Sequence, residues 1–366
     1  NPYDNFVGGD PQGFCCDQEV ILEPARNALI WSRMGAGEGS NLINNHIDLS
    51  VSTDGGNSFC TYAFAGGDIG QPNTTLDYPH LSVTNDNLFI TYNVFDASGA
   101  FADMGLARWP LDQMATCSGL SYTFWSTDGW SWALAQGQVT NTGVQYLGDT
   151  RNSAGTFRLY TQSDADTILN FVDRAVPAWT FTNRGGADCT VPSGVNPCAR
   201  LDQRITGGWA GPEQVGFFWT VQQGGGFPFP YVDAVLINRD DLSVAGQPFI
   251  WSPSNAFTYG AAATNAHGDV GINTLLVGGG NYPTPCMGIW DSYTAPPPDW
   301  QINCPIASDG WDTAGMGDYI TVRTYQPAST LFSASSYISA AGTYTGYYFV
   351  FGRQRDANAW LRFSQS

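Results

Sequence analysis

The residue best placed for proton transfer in this chain is His80, in the run Asp77-Tyr78-Pro79-His80. An imidazole titrates near neutrality, so it can serve as general acid or base. Its structural alternative is a buried histidine bonded to a neighbouring carboxylate such as Asp77. The chain has three histidines. His46 is a second candidate, whereas His267, in Asn265-Ala266-His267-Gly268, reads as a turn residue at the opposite end of its strand, so a histidine-based zinc site is not expected. Asp17, Asp77, Asp149, Asp202 and Asp318 recur at comparable points along the chain. Two such carboxylates at about 5–9 Å suit glycoside hydrolysis, several converging oxygens suit calcium, and each acid alone can cap backbone N–H groups. Arg151 and Arg204 could clamp a uronate carboxylate through paired hydrogen bonds or neutralise those same acids. Aromatic rings stack on the CH faces of sugars. The set read as catalytic is therefore His80, Asp77, Tyr78, Asp17 and Tyr319, and the set read as substrate-binding is Arg151, Arg204, Asp149, Asp202, Asp318, His46 and Tyr259.

The elements that must position these groups are strand pairs. The stretch 77–96 reads as two strands and a tight turn, and its pattern recurs in degraded form at intervals of roughly 60 residues, enough for four strands and their loops. First strands are placed at 16–21, 78–83, 145–149, 203–207, 259–264 and 318–323. Second strands follow at 28–33, 88–94, 156–162, 215–221, 270–277 and 331–337, and third strands at 46–52, 105–110, 168–174, 231–238, 287–293 and 347–352. Imperfect alternation in many of them fits strands buried on both faces. The expected architecture is all-β: a six-bladed β-propeller of four-stranded antiparallel blades, with seven blades as the alternative and an irregular pair of β-sandwiches as the bland one. No linker divides the chain, because 224–230 and 295–299 read as hairpin loops, so 1–366 is expected to be one domain. Residues 1–14 fall outside the repeat, either as an outer strand of the last blade or as a crossing segment. In such a propeller the loops entering the innermost strands, and those joining second to third strands, converge on one mouth of the central channel. The candidate residues above come from those loops, together with Gln18, Glu19, Glu38, Asn45, Tyr146, Asp96, Phe227, Phe229, Tyr231 and Tyr282.

Composition agrees with this. Among 366 residues, hydrophobic ones make up 43% and aromatic ones 14%, while 43 glycines and 21 prolines with only 13% charged residues favour short strands and turns over helices. The net charge of −18 comes from 32 acidic and 14 basic residues, and every basic residue is arginine. Such a surface repels nucleic acid and anionic lipid, and the absence of lysine excludes Schiff-base chemistry. No window of ~18 apolar residues is available to span a membrane. Eight cysteines without CxxC spacing point to disulfides and a secreted protein, and a chain beginning at Asn1 reads as a mature form. Cys189 with Cys198 and Cys286 with Cys304 are the expected local bridges, each closing a short excursion. Cys60 with Cys117 and a vicinal Cys15–Cys16 bond follow for the rest, the latter against the alternative of separate partners. Asn73-Thr74-Thr75 is a glycosylation sequon in a loop.

The most specific motif is Ser52-Thr53-Asp54-Gly55-Gly56-Asn57-Ser58-Phe59, directly after a third strand, half repeated by Ser126-Thr127-Asp128-Gly129 before Trp130. Its aspartate can accept backbone N–H bonds within a turn, its glycines supply the permissive φ, and its last aromatic plugs between strands. On this motif the chain resembles the sialidase/BNR (Asp-box) repeat superfamily of secreted β-propellers. The resemblance implies a propeller fold and carbohydrate as the substrate class. Sialidases of that superfamily use three arginines, a tyrosine nucleophile, a glutamate and an acid/base aspartate. Their Arg-Ile-Pro signature is absent here and glutamate occurs only at Glu19, Glu23, Glu38 and Glu213, which argues against a true sialidase. Other propellers of similar architecture act on acidic plant glycans through a histidine with arginine or tyrosine partners.

Two classes of function follow. The first is a secreted glycoside hydrolase or polysaccharide lyase acting at the channel mouth, with no cofactor beyond a calcium ion. The second is a non-catalytic extracellular propeller that binds glycans or self-assembles.

Overall fold

The computed structural model describes residues 13–127, 132–135, 143–151, 153–180, 182–290, 299–311, 313, 315–340 and 343–358. Six antiparallel sheets follow one another along the chain as the blades of a six-bladed β-propeller. The first contains β1 (Phe14–Glu23), β2 (Ala28–Gly35), β3 (His46–Ser52) and β4 (Cys60–Ala65), and the second β5 (Thr75–Val83), β6 (Asn87–Phe95), β7 (Phe101–Pro110) and β8 (Thr123–Thr127). The third contains β9 (Ala133–Leu134), β10 (Val144–Asp149), β11 (Thr156–Ser163) and β12 (Leu169–Ala175). The fourth holds β13 (Ile205–Ala210), β14 (Gln214–Val221), β15 (Tyr231–Asn238) and β16 (Val244–Gly246), with β17 (Phe249–Ile250) also paired to β15. The fifth holds β18 (Ala256–Thr264), β19 (Val270–Gly278), β20 (Asn281–Trp290) and β21 (Trp300–Asn303), and the last β22 (Thr321–Thr324), β23 (Phe332–Ala340) and β24 (Thr343–Phe351).

The chain groups into two compact units. Unit 1 comprises residues 1–134, 142–145 and 160–170, and unit 2 comprises 135–141, 146–159 and 171–366. In unit 1, aliphatic residues of the first two sheets, among them Ile30, Leu49, Leu81 and Ile90, form one core. In unit 2 one core lies around Tyr259, Leu275, Trp311 and Phe332 and another around Trp209, Phe218, Val232 and Trp300. Strands such as β6 and β14 are buried almost end to end, which removes the alternation that a half-exposed strand would show.

The first strands lie side by side: β1 packs on β5 in unit 1, and β13 on β18 and β18 on β22 in unit 2. Close approach demands small residues there. A Cβ on Gly207 of β13 would lie 2.2 Å from the Gly260 carbonyl oxygen of β18, while one on Gly208 or Gly260 would press on Phe217 or Phe218 of β14.

Five of the six expected first strands coincide with or adjoin observed first strands. The third does not. The two-residue strand β9 occupies the edge of that sheet and packs beside β5, so 145–149 is the second strand, 156–162 the third and 168–174 the fourth. The turn after β11 agrees with this order, because Asp164 accepts from Thr84 Oγ1 and Asn87 Nδ2 in the turn that follows β5. The expected loop at 295–299, the N-terminal segment and the half motif at Asp128, Gly129 and Trp130 lie largely outside the described residues.

The turn after β3 is built as its composition requires. Asp54 accepts from the backbone N–H groups of Asn57 and Ser58, both at 3.0 Å, and from the hydroxyls of Ser52 and Ser58. Those bonds hold its carboxyl well below the usual carboxylate range. Gly55 and Gly56 have φ of 75° and 89°, where a side chain would be strained.

Four disulfides join Cys15 to Cys16, Cys60 to Cys117, Cys189 to Cys198 and Cys286 to Cys304. The choice left open at Cys15 and Cys16 resolves to the vicinal bond. Cys60–Cys117 spans a sequence separation of 57 residues and ties β4 to the segment after the short helix α1 (Leu111–Ala115). By loop-closure entropy it should contribute about 4 kcal/mol. The Cys60→Ala/Cys117→Ala variant is expected to shift the urea midpoint downward by that order, whereas a Cys189→Ala/Cys198→Ala variant, closing a separation of 9 residues, should lose less.

Candidate active site

Four of the first strands share a backbone irregularity near their entrances. Pairing with the second strand is interrupted between Cys16 and Gln18 in β1, Asp77 and His80 in β5, Ile205 and Gly207 in β13, and Thr258 and Ala261 in β18. At three of these breaks a non-glycine residue is left-handed: Asp17 at φ 27°, Tyr78 at 56° and Tyr259 at 55°. Tyr319, just before β22, repeats this at 61°. A bulge re-aims the side chains on either side of it, and a bulky left-handed residue costs of order 1–3 kcal/mol, which surrounding structure must sustain. The same local device thus recurs in the sheets that carry most of the candidate residues.

In unit 1 the break in β5 brings His80 to Glu19 of β1. The His80 Nδ1 lies 3.5 Å from Glu19 Oε2, and the same oxygen accepts the Leu81 N–H at 2.7 Å. The Glu19 side chain is only 2% exposed and that of His80 14%, so a buried carboxylate orients an imidazole that still reaches solvent. The Tyr78 ring meets the His80 ring edge-on, with centroids 4.4 Å apart. Asp17 and Asp77 are both half-buried. The carboxylate beside His80 is therefore Glu19, where Asp77 was the partner considered from sequence. Glu19 stood in the sequence only as one polar residue at a strand entrance, and the signal that could have promoted it is the scarcity of glutamate.

His46 belongs to a different group in unit 1. Its Nε2 lies 3.6 Å from Asp48 Oδ1, and Asp48 Oδ2 is 3.2 Å from Arg33 Nη2, which also donates to Ser50 Oγ. The Arg33 guanidinium sits over Trp31 at 5.1 Å. Arg33 and Asp48 are both buried, and with His46 at the start of β3 they form a cluster around the Arg33–Asp48 ion pair, although Arg33 Nε has no hydrogen-bond partner.

In unit 2 the arginines are held by acids close to them in sequence. Asp202 receives a paired contact from Arg204, Nε to Oδ1 at 2.8 Å and Nη2 to Oδ2 at 2.7 Å. Arg151 Nη1 lies 3.6 Å from Asp149 Oδ2, and the Arg151 N–H donates to Asp149 Oδ1. With β10 second in its sheet, Asp149 and Arg151 occupy the turn between second and third strands rather than the entrance to a first strand. That turn still lies beside the entrance to β13, since Thr150 Oγ1 donates to the Gln203 carbonyl. Tyr259 is buried in the core, its ring covering Gly317, where a Cβ would lie 2.1 Å away. Asp318 is exposed and Tyr319 half-buried beside it. Among the described residues no three His, Cys, Asp or Glu side chains are grouped as a metal site.

A buried acid that the sequence reading missed lies nearby in unit 2. Asp233 of β15 is fully buried, its Oδ2 accepts from Gln247 Nε2 at 2.7 Å, and its Oδ1 has no partner. Burial pushes its carboxyl up to about 8, against the opposing hydrogen bonds from Gln247 and the Ala234 N–H.

No family model and no curated protein matches the sequence. Solved structures do match in fold. An α-L-arabinanase from Penicillium chrysogenum, solved with arabinobiose, superposes with a TM-score of 0.55 at 10% identity over 94% of this chain and 96% of its own. The GH93 α-L-arabinofuranosidase of Fusarium graminearum gives 0.52 at 12% identity, covering 94% of both chains. The NanB sialidase of Streptococcus pneumoniae gives 0.52 at 8% identity, over 96% of this chain and 70% of that one. The fold that the chain shares with them is a β-propeller. At these identities the likeness is one of architecture, and roles must be argued from this chain's own residues. No helix among the described residues is long and apolar enough to cross a membrane.

Proposed function

We propose that the protein is a secreted carbohydrate-active propeller that cleaves a glycan, with His80 as the proton-transfer group. The observation that carries this reading is the Glu19–His80–Tyr78 arrangement: a buried carboxylate against Nδ1, a ring packed edge-on, and a bulged strand that holds the imidazole at its entrance. A carboxylate at Nδ1 favours the tautomer with the proton on that nitrogen, which leaves Nε2 basic. From there His80 can withdraw a proton α to a uronate carboxyl, as in a lyase, or act on a glycosidic oxygen or water, as in a hydrolase. Glu19 positions the ring. Arabinose-containing and uronate-containing glycans are the substrate classes to test, the former because two proteins of similar fold are an α-L-arabinanase and an α-L-arabinofuranosidase, each solved with arabinobiose. The four disulfides support an oxidising, extracellular setting.

The test is a panel of neutral and acidic polysaccharides, followed for new reducing ends and for the absorbance of an unsaturated uronate. The reading expects one of these signals from wild type and its loss in His80→Ala. Silence across the panel favours the second reading, a non-catalytic glycan-binding propeller. An exposed aromatic group in unit 2 speaks for that one: Phe227 stacks on Tyr231 at 4.0 Å, with Phe249 and Trp251 edge-on to Phe227 and substantially exposed.

A further inference from the structure

The strands of unit 2 have a recess at the end away from the first-strand entrances. It opens where the turn joining β13 to β14 meets the turn joining β18 to β19, and its volume is about 460 Å³, within the range of small-molecule sites. Trp209, Leu236, Val270 and Trp290 supply its apolar wall, while Glu213 and Asp269 supply carboxylates. The wall is braced, because Trp290 packs on Trp300 with centroids 4.8 Å apart. The rim is braced as well: Asn265 Oδ1 accepts the N–H groups of His267 and Asp269, and Asn265 Nδ2 donates to Asp269 Oδ2 at 3.2 Å. Gly268, at φ 83°, lets this turn approach Pro212 on the other side.

The chemistry of the lining selects its ligand. Indole faces and aliphatic side chains match the CH face of a sugar ring, and carboxylates accept hydrogen bonds from its hydroxyls. Among the described residues neither arginine nor lysine lines the recess, and Arg239, which donates to the Gly211 and Pro212 carbonyls, is not in its lining, so the charges a ligand meets there are the carboxylates of Glu213 and Asp269. A purely apolar ligand would desolvate the rim carboxylates without return. We propose that this cleft binds one neutral sugar unit of a glycan, as a non-catalytic contact separate from the Glu19–His80 pair. The proposal does not require turnover at His80.

His267 lines the same cleft, with Nε2 3.3 Å from Asp356 Oδ1, and so reports on it. The experiment titrates arabinobiose and cellobiose into the folded full chain and follows the imidazole signals by NMR. The expected result is a saturable shift of the His267 signal, retained in His80→Asn and weakened at least tenfold in Trp290→Ala and in Glu213→Gln. Since Trp290 is packed, Trp290→Ala could fail to fold, whereas Glu213 is exposed and Glu213→Gln keeps the test intact. An unmoved His267 signal with both sugars overturns the proposal. So does a shift that both variants leave unchanged, or one produced by tetramethylammonium and by neither sugar.

Discussion

Replacing His80 with alanine is expected to lower glycan turnover by roughly 10²- to 10⁴-fold, the ordinary contribution of a positioned acid or base. Glu19→Gln is the more informative partner. An amide oxygen can still accept the Leu81 N–H and face His80 Nδ1, so both contacts survive, but the negative charge beside the ring is lost. A positioning role for Glu19 therefore predicts a fall in kcat with little change in KM. A merely structural role would lower the amount of folded protein and leave kcat of the remainder unchanged. The ionic cluster at His46 supplies a contrast: His46→Gln should leave turnover nearly intact, since Asp48 keeps its contact with Arg33.

The largest effect on stability is expected at Asp233. Its carboxyl is held up to about 8 by burial, against about 3.9 for an aspartate in an unfolded chain. Between those values the native state keeps a proton that the unfolded state releases. Stability from this group is thus fully present below about pH 4, declines as pH rises, and levels off above about pH 8. At 1.36 kcal/mol per unit the whole loss is on the order of 5 kcal/mol. Asp233→Asn removes the titration, and its amide oxygen can still accept from Gln247. Denaturant melts of wild type and variant should therefore diverge as pH rises from about 5 to about 9, the variant becoming the more stable. Parallel pH dependences would contradict the buried, protonated state.

Much of the architecture was legible because strands buried on both faces leave runs such as Leu88–Val94 and Val215–Val221 that nothing else in a glycine-rich chain explains. The third sheet was misaligned for a physical reason. Its edge strand β9 has two residues, too few to show a period, so the next apolar run, 145–149, took first place. The entrances of the first strands were the right neighbourhood for polar chemistry, but the partner of His80 was not legible. Glu19 and His80 meet only because β1 and β5 lie side by side, a contact between residues 61 positions apart with no local sequence mark. The left-handed tyrosines were equally hidden, since nothing in Tyr78, Tyr259 or Tyr319 announces the conformation that usually belongs to glycine. Asp233 did carry a signal: a lone acid inside the run Tyr-Val-Asp-Ala-Val, where burial of a carboxyl was the direct implication.

His46, His80 and His267 are the three histidines of the chain, so each imidazole can be assigned from a single His→Asn variant. Titrating oligosaccharides from the neutral and acidic glycans of the panel, while following these signals by NMR, asks directly whether a glycan engages the Glu19–His80 pair. The expected result is a saturable movement of the His80 signal with at least one glycan, altered in Glu19→Gln. A His80 signal that stays fixed with every glycan, whether or not His267 responds, would contradict the account.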